Sequence, residues 1–152
     1  MLSDLMSYIL YDCQDEKVSI EKEIQFLKNL IELEIISVGE DVSIEFNFDD
    51  SLISHQVSPL LFIPFVENAF KHCSKNGKDK SFVNINLNHV GDKVCSKIEN
   101  STEQTNELIN DNYHGVGITN VEKRLTLLYP NKHHLAIQEK EDSYKTELCL
   151  EL

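Results

Sequence analysis

Two segments at the start of the chain repeat apolar residues at helical spacing. The first covers residues 2–10, and the second runs from Ser19, which can cap a helix, to Gly39. Glu21 and Glu23 follow the cap, where carboxylates favour the positive end of the helix dipole. The apolar positions are Leu2, Leu5, Met6, Ile9, Leu10, Ile20, Ile24, Leu27, Ile31, Ile35 and Val38. We predict two amphipathic helices, whose stripes pack either on the chain's own core or against a second subunit.

After residue 41 the apolar period changes to two, which predicts strands. A turn at Gly91 and Asp92 separates two of these segments, so we expect an antiparallel hairpin there, and the last two segments predict a closing hairpin. The strand segments are 42–48, 82–87, 94–98, 134–140 and 143–152. The sequence therefore predicts a mixed α/β domain.

Residues 101–114 are polar without sustained periodicity and predict a long loop. Gly115 and Gly117 then open a helix that ends before Pro130. A dinucleotide-binding fingerprint is excluded because Asn120 stands where its third glycine belongs and because a loop precedes the helix; a P-loop sequence is absent. What remains is a glycine-opened helix N-terminus, whose free N–H groups favour an anion such as phosphate.

A further helix is predicted in residues 59–73. Ser58 can cap it and Pro59 suits its first position, so we expect the helix to begin near Pro59. Pro64, inside the apolar run, should kink this helix or split off a short first turn.

Asn68, Lys71 and His72 lie three and four residues apart and project from one side of this helix. An amide oxygen can ligate a hard divalent cation, and Lys can meet a phosphate as a point charge. One interpretation is a magnesium–nucleotide site. The other is a solvated face on which Glu67 and Lys71 form an ordinary ion pair.

The composition narrows the class of protein. The formal net charge of -12 over 152 residues opposes binding to nucleic acid or to an anionic membrane surface. No apolar run is long enough to span a bilayer, and the N-terminus lacks a signal-like pattern. The four cysteines form no CxxC pair, so we expect reduced, mostly buried thiols; they are Cys13, Cys73, Cys95 and Cys149.

The order of these motifs resembles the ATP-binding domain of the GHKL superfamily. The segments ILYDCQDEKVSIEKEIQFLKNLIELEI, PLLFIPFVENAFKH and GVGITNVEKRLTLLYP are similar to the catalytic end of a LytS-type sensor histidine kinase. This resemblance implies a two-layer α/β sandwich of the Bergerat type, with a mixed, largely antiparallel sheet and two N-terminal helices. Residues 1–39 would be the remnant of the dimerisation and phosphoacceptor region, and residues 40–152 the ATP-binding domain.

The resemblance also implies roles for individual residues. Asn68 matches the N-box asparagine that holds Mg²⁺, and Lys71 and His72 match positions facing the ATP phosphates. Gly115 and Gly117 match the second glycine box.

Asn120 lies at the start of the same helix, and residues 101–114 match the ATP lid. Arg124 and Leu125 match a recurrent Arg-Leu pair, for which the sequence suggests no role beyond positioning or a helix-face contact.

The first glycine box, with its adenine-reading Asp, is absent. Strand parity places Asn100 on one face and Glu99 on the other, so we predict that Asn100 reads adenine through its amide, with Glu99 as the second candidate. The closing glycine turn is absent too, and Thr146 would join the adenine network through its hydroxyl.

Pro64 stands where hydrolytic members of the superfamily carry a water-activating Glu. This argues against an efficient ATPase and for transfer of the γ-phosphoryl group to a protein side chain. Glu67 would orient a metal-bound water or help to deprotonate the acceptor.

The expected function is that of a protein histidine kinase using ATP and Mg²⁺. The family's acceptor histidine lies in an Asn-Pro-His-Phe segment that none of the six histidines here has. We therefore expect a truncated chain that binds ATP without phosphorylating itself. Its partners would be a response regulator and, in the full-length protein, a second copy, and it would be the cytoplasmic domain of a sensor anchored in the membrane through an upstream region.

Two alternatives remain. The missing glycines favour a nucleotide-responsive interaction module with little or no phosphoryl transfer. A GHKL-type serine kinase that binds sigma-factor regulators is the other, although the paired N-terminal helices and the VENAFKH sequence favour the histidine kinase.

Overall fold

The computed structural model describes residues 2–11, 14–39, 41–73, 81–102 and 116–152. The helices are α1 (Leu2–Tyr11), α2 (Ile20–Val38), α3 (Ile63–His72) and α4 (Val116–Leu128), with a short 3-10 helix at Asp50–Ser54. The strands are β1 (Val18–Ser19), β2 (Val42–Phe48), β3 (Gln56–Val57), β4 (Ser81–Val90), β5 (Lys93–Ser101), β6 (His133–Glu139) and β7 (Ser143–Glu151).

Five of the described strands form one sheet in the order β2-β4-β5-β7-β6. The β2–β4 pair is parallel and the other three pairs are antiparallel. Gly91, whose φ of 65° is in the left-handed region, turns the chain between β4 and β5. The two predicted hairpins, β4–β5 and β6–β7, are therefore confirmed, as is the mixed, largely antiparallel sheet. Strands β1 and β3 pair separately as a small antiparallel ribbon.

The main core lies between one face of the sheet and the helices α2, α3 and α4. Alternate residues of β4 and β5 point into it, as the period of two requires. The buried residues that the helices contribute are Ile20, Ile24, Leu27, Ile31, Phe65, Val66, Ala69, Phe70, Ile118, Val121 and Leu125. The apolar stripe of α2 thus packs on the chain's own core along most of its length.

Helix α1 packs on a smaller cluster. Leu5 and Tyr8 contact Val18 and Phe26 there, and the rings of Tyr8 and Phe26 lie 5.0 Å apart between centroids. The other apolar residues of α1 are exposed; they are Leu2, Met6, Ile9 and Leu10. No helix in the described ranges combines the length and the hydropathy needed to cross a bilayer.

The predicted start of the third helix is wrong. Helix α3 begins at Ile63, and Leu60 has a left-handed φ of 57°, which breaks any helix running from Pro59. The Ser58 N–H donates to the Tyr129 hydroxyl at 2.9 Å, and Ser58 caps no helix. Pro64 lies in the first turn of α3, where its missing N–H costs little, so it introduces no kink.

The prediction of reduced thiols is wrong for Cys95 and Cys149, which form a disulfide. These residues are direct partners in the β5–β7 register, on the half-exposed face of the sheet that points away from the core. The alternation of apolar and polar residues shows which face of a strand each residue occupies, but not which strand lies beside it. The disulfide depends on that neighbouring strand. Cys73 is a free, half-buried thiol, and Cys13 lies outside the described residues.

Candidate functional site

Helix α3 presents its predicted site residues along the border of its buried face. Phe65, Val66, Ala69 and Phe70 are buried against the core, which anchors the helix over β5. Asn68 and His72, one turn apart, are half-buried, whereas Glu67 and Lys71 are exposed. Asn68 therefore has a fixed backbone and a side chain that still reaches the surface.

The charges on α3 do not form the ordinary ion pair. Glu67 and Lys71 are not bonded to each other among the described ion pairs. Burial raises the pKa of Glu34 on α2, and the nearby Glu67 carboxylate raises it further, so Glu67 lies close to α2. Burial, and then the Lys71 charge, lowers the pKa of His72. The fold therefore favours the neutral form of the His72 imidazole, which can accept a hydrogen bond.

Asn100 occupies the core face near the end of β5. Its side chain is only 1% exposed, between Val83 on β4 and Tyr144 on β7, and its amide NH2 donates to the Ser101 carbonyl at 3.1 Å. Glu99 points to the opposite, outer face of the sheet. The predicted placement of Asn100 and Glu99 on opposite faces of the strand is therefore confirmed. The role of Asn100 in binding adenine stays a prediction.

Thr146 lies on the same face as Asn100 and is also buried, at 5% exposure. It is paired with Ile98, two residues along the β5–β7 register from the pair of Asn100 and Tyr144. In an antiparallel sheet such diagonal neighbours are about 7–8 Å apart. Asn100 and Thr146 are therefore close neighbours on the core face near the end of β5.

Only part of the predicted phosphate region belongs to the described chain. Gly117 is the second residue of α4 and is exposed, and a Cβ atom there would meet nothing within 4 Å. Packing among the described residues therefore gives no reason for a glycine at this position. Asn120 is exposed on the next turn. Gly115 and residues 103–114 of the predicted lid lie outside the described residues, whereas Ser101 is the last residue of β5.

Two charged residues near the site have roles that the sequence reasoning missed. The Arg124 guanidinium donates to the carbonyl oxygens of Pro59 and Leu60. Glu23, assigned above to the helix dipole, is fully buried and accepts from the Tyr8 hydroxyl and the Leu60 N–H. A signal for Glu23 existed, because its position falls in the apolar stripe of α2 between Ile20 and Leu27.

The chain is similar to two bacterial sensor proteins along most of its length. Sensor histidine kinase YpdA of Escherichia coli (strain K12) is 25% identical over 148 residues, covering 89% of this chain and 26% of YpdA. Sensor protein LytS of Staphylococcus epidermidis (strain RP62A) is 23% identical over 159 residues, covering 98% of this chain and 27% of LytS. The chain thus spans about a quarter of the length of the curated relatives it matches. It matches no protein-family model.

Solved structures show the same relationship at the level of the fold. The catalytic domain of histidine kinase ThkA matches with a TM-score of 0.64 and 15% identity, covering 89% of this chain and 94% of that domain. ThkA in complex with response regulator protein TrrA matches with a TM-score of 0.59 and 14% identity, covering 98% of this chain and 46% of the ThkA chain. The chain therefore has the fold of a histidine kinase catalytic domain, and its resemblance to LytS-type sensor histidine kinases is confirmed.

Proposed function

We propose that this chain is the ATP-binding catalytic part of a two-component sensor histidine kinase, which transfers the γ-phosphoryl group of ATP to a histidine outside the chain. The observation that carries the proposal is the pair of carboxamides on two facing elements. Asn100 is buried at the end of β5, and Asn68 reaches the surface from α3, which packs over that strand. Residues 40–152 would form the nucleotide-binding domain, and residues 1–39 would be the remnant of the dimerisation and phosphoacceptor region.

The donor set fits Mg²⁺ bound together with a nucleotide. No three His, Cys, Asp or Glu side chains come together as a metal site in the part of the chain that the structure describes. Mg²⁺ commonly takes one or two protein oxygens and completes its shell with water and substrate phosphates. The Asn68 amide oxygen suits that arrangement, and bound Mg²⁺ would supply neutralisation of phosphate charge.

The neighbouring side chains would supply the remaining electrostatics. Lys71, exposed beyond Asn68, places an ammonium where the phosphates would lie, and His72 offers a neutral ring because its pKa is lowered. At the start of α4, Gly117 allows close approach of a phosphate, Asn120 offers an amide, and Gly115 would extend the same surface.

Adenine would be held at the sheet end of the site. The Asn100 oxygen would accept from the adenine amino group, its NH2 would donate to a ring nitrogen, and the Thr146 hydroxyl would join them. Both side chains are neutral and lie on one face of the sheet, which suits contact with a flat heterocycle.

Transfer to histidine is favoured over hydrolysis because Pro64 occupies the first turn of α3, one turn before Asn68. A proline has no group that could activate water. Glu67, exposed on the next turn, is the carboxylate available to take the proton of an acceptor histidine.

The partners follow from the relatives and are part of the proposal. The neighbour ThkA is seen with a response regulator, so we propose a response regulator as the recipient of the phosphoryl group. A second copy, joined through upstream helices, and a membrane anchor outside this chain complete the proposed sensor. ATP with Mg²⁺ is the proposed substrate pair, and no nucleic acid is involved.

Calorimetric titration of MgATP into the chain tests nucleotide binding. Asn68→Ala should weaken binding with Mg²⁺ and have much less effect in EDTA, whereas the helical control Asn29→Ala on α2 should bind as the wild type. Chain incubated with labelled ATP should stay unlabelled, and a chain extended upstream to include the acceptor segment should form phosphohistidine. MgATP binding without any transfer by the extended chain would contradict the kinase proposal.

That last result would favour the second candidate, a nucleotide-responsive interaction module. The specific observation behind it is the buried Asn100, which would read adenine without the charge of the superfamily's Asp and which stands in a sequence lacking the first-box glycines. Such a module would change its partner affinity on binding ATP while leaving the nucleotide intact.

A further inference from the structure

The 58–62 loop, which leads into α3, has an unusual backbone. Leu60 has φ of 57°, a left-handed conformation that a leucine rarely adopts because its Cβ crowds the following carbonyl. A strained residue of this kind persists only where surrounding structure holds it. The loop ends only two turns before Asn68, so its shape sets where α3 begins.

One side of the loop is held from the N-terminal helices. The Leu60 N–H donates to Glu23 Oε1 at 2.7 Å, and the same oxygen accepts from the Tyr8 hydroxyl of α1. Glu23 is fully buried, and its Oε2 has no hydrogen-bond partner among the described residues. Burying a carboxyl group with one oxygen unpaired is costly.

The other side of the loop is held from α4 and the residue that follows it. Arg124 donates to the carbonyl oxygens of Pro59 and Leu60, at 3.3 Å for Leu60, and the Tyr129 hydroxyl accepts from the Ser58 N–H. The peptide groups on both sides of Leu60 are thus bonded to charged side chains of α2 and α4. Burial raises the pKa of Glu23, and the Tyr8 hydroxyl, the Leu60 and Leu61 N–H groups and then the Arg124 charge across the loop oppose that rise.

We propose that Glu23 and Arg124 are positioning residues that couple the N-terminal helices to the nucleotide site. They fix the 58–62 loop between them, and the loop in turn fixes the start of α3 and hence the position of Asn68. If α1 and α2 move relative to α4, the loop must follow one side, and the hydrogen bonds from Glu23 or from Arg124 must lengthen. The movement is thereby transmitted through the loop to Asn68. This inference rests on the proposed function, since it concerns the geometry of that site.

The test compares MgATP affinity with stability, because a residue with a purely structural role changes only the second. Arg124→Gln removes the fork that bridges two carbonyls, and Arg124→Lys keeps the charge with one donor group. Glu23→Gln keeps an acceptor for Tyr8 and Leu60 but removes the charge. Dissociation constants are measured by calorimetry at a temperature well below every unfolding midpoint, where all variants are folded.

Matched controls sit beside each position. Lys123→Gln and Glu21→Gln make the same charge changes on exposed residues of α4 and α2. Ile31→Val destabilises the core face of α2 about two turns beyond Glu23 and removes none of the hydrogen bonds to the loop. All three controls should bind MgATP within about twofold of the wild type.

Arg124→Gln and Glu23→Gln should weaken MgATP binding about 2- to 30-fold, with Arg124→Lys between wild type and Arg124→Gln. In the nucleotide-free chain, amide exchange of Ser58 and Leu60 should accelerate in Arg124→Gln and Glu23→Gln. It should not accelerate in Ile31→Val. If Arg124→Gln does not fold, Arg124→Lys is used for the same comparison. Wild-type affinity and wild-type exchange in the loop variants would overturn the inference while leaving the proposed function intact. A wild-type chain that does not bind MgATP would instead refute the proposed function and the inference with it.

Discussion

Asn100 offers the sharpest test of how the base would be recognised. Its side chain is 1% exposed on the core face of β5, and its NH2 is held by the Ser101 carbonyl at 3.1 Å. That bond orients the amide, so its oxygen is presented in a fixed direction. Adenine offers an amino group to such an oxygen, whereas guanine offers a carbonyl at the corresponding position, and the site should therefore prefer ATP to GTP.

The size of the effect follows from the bonds that Asn100→Ala removes. Two neutral hydrogen bonds to the base, at about 0.5–1.5 kcal/mol each, give a loss of about 1–3 kcal/mol, or about 5- to 150-fold in the dissociation constant for ATP. The lost bond to Ser101 should also lower the free energy of unfolding by about 1 kcal/mol. Calorimetry measures the first quantity and urea unfolding the second.

Two controls separate base recognition from general damage. Magnesium triphosphate has no base, so it should bind wild type and Asn100→Ala equally. Glu99→Ala alters the neighbouring residue on the opposite face and should leave ATP affinity unchanged. Equal losses for ATP and triphosphate in Asn100→Ala, or a loss in Glu99→Ala alone, would refute the assignment of Asn100 as the adenine reader.

Three further measurements address the metal, the imidazole and the disulfide. Asn68→Asp should retain Mg²⁺-dependent ATP binding that Asn68→Ala loses, because a carboxylate oxygen is also a good Mg²⁺ ligand; equal affinity of the two variants in Mg²⁺ titrations would argue against ligation. The pKa of His72 is lowered from 6.5 in the folded chain, so the unfolded chain binds the proton more readily. The free energy of unfolding should therefore fall as the pH drops through 6.5 towards the lowered value. In urea unfolding, His72→Asn should flatten this part of the plot of free energy of unfolding against pH. Replacing both Cys95 and Cys149 by Ser should lower the free energy of unfolding by up to about 4 kcal/mol, by the chain-entropy estimate for residues 54 apart in sequence. Wild type reduced with dithiothreitol should then unfold like the variant. A difference that persists under reduction would show that the disulfide is not the source of the lost stability.

Features that depend on local repetition could be predicted from the sequence. The buried and exposed faces of β5 follow from the period of two in its apolar residues, so the face that carries Asn100 was predicted correctly. The buried side of α2 follows from the helical period of its apolar stripe in the same way. The hairpin at Gly91 follows from a residue suited to positive φ. Each of these needs information from a single segment only.

Features that depend on which segments meet could not be predicted in this way. The disulfide requires that β7 lie beside β5 with Cys149 opposite Cys95, and no single-segment period contains that register. The burial of Glu23 depends on a loop 37 residues away donating its N–H. A carboxylate near a helix start is normally assigned to the dipole, and only the tertiary partner shows that it serves the loop instead.

The start of α3 shows why the second class of features matters for function. Its N-cap residue, Phe62, supplies no side-chain hydrogen bond, so the helix lacks the local stabilisation of about 1 kcal/mol that a Ser, Thr, Asp or Asn cap contributes. Pro64 presets the backbone of the first turn but likewise donates nothing. The bonds that Glu23 and Arg124 make to the preceding loop therefore help to fix the start of α3, together with the burial of Phe62 and Phe65 in the core. A helix fixed by its own cap would keep Asn68 in place whatever its neighbours did, whereas one fixed from α2 and α4 carries any relative movement of those helices to the proposed metal ligand.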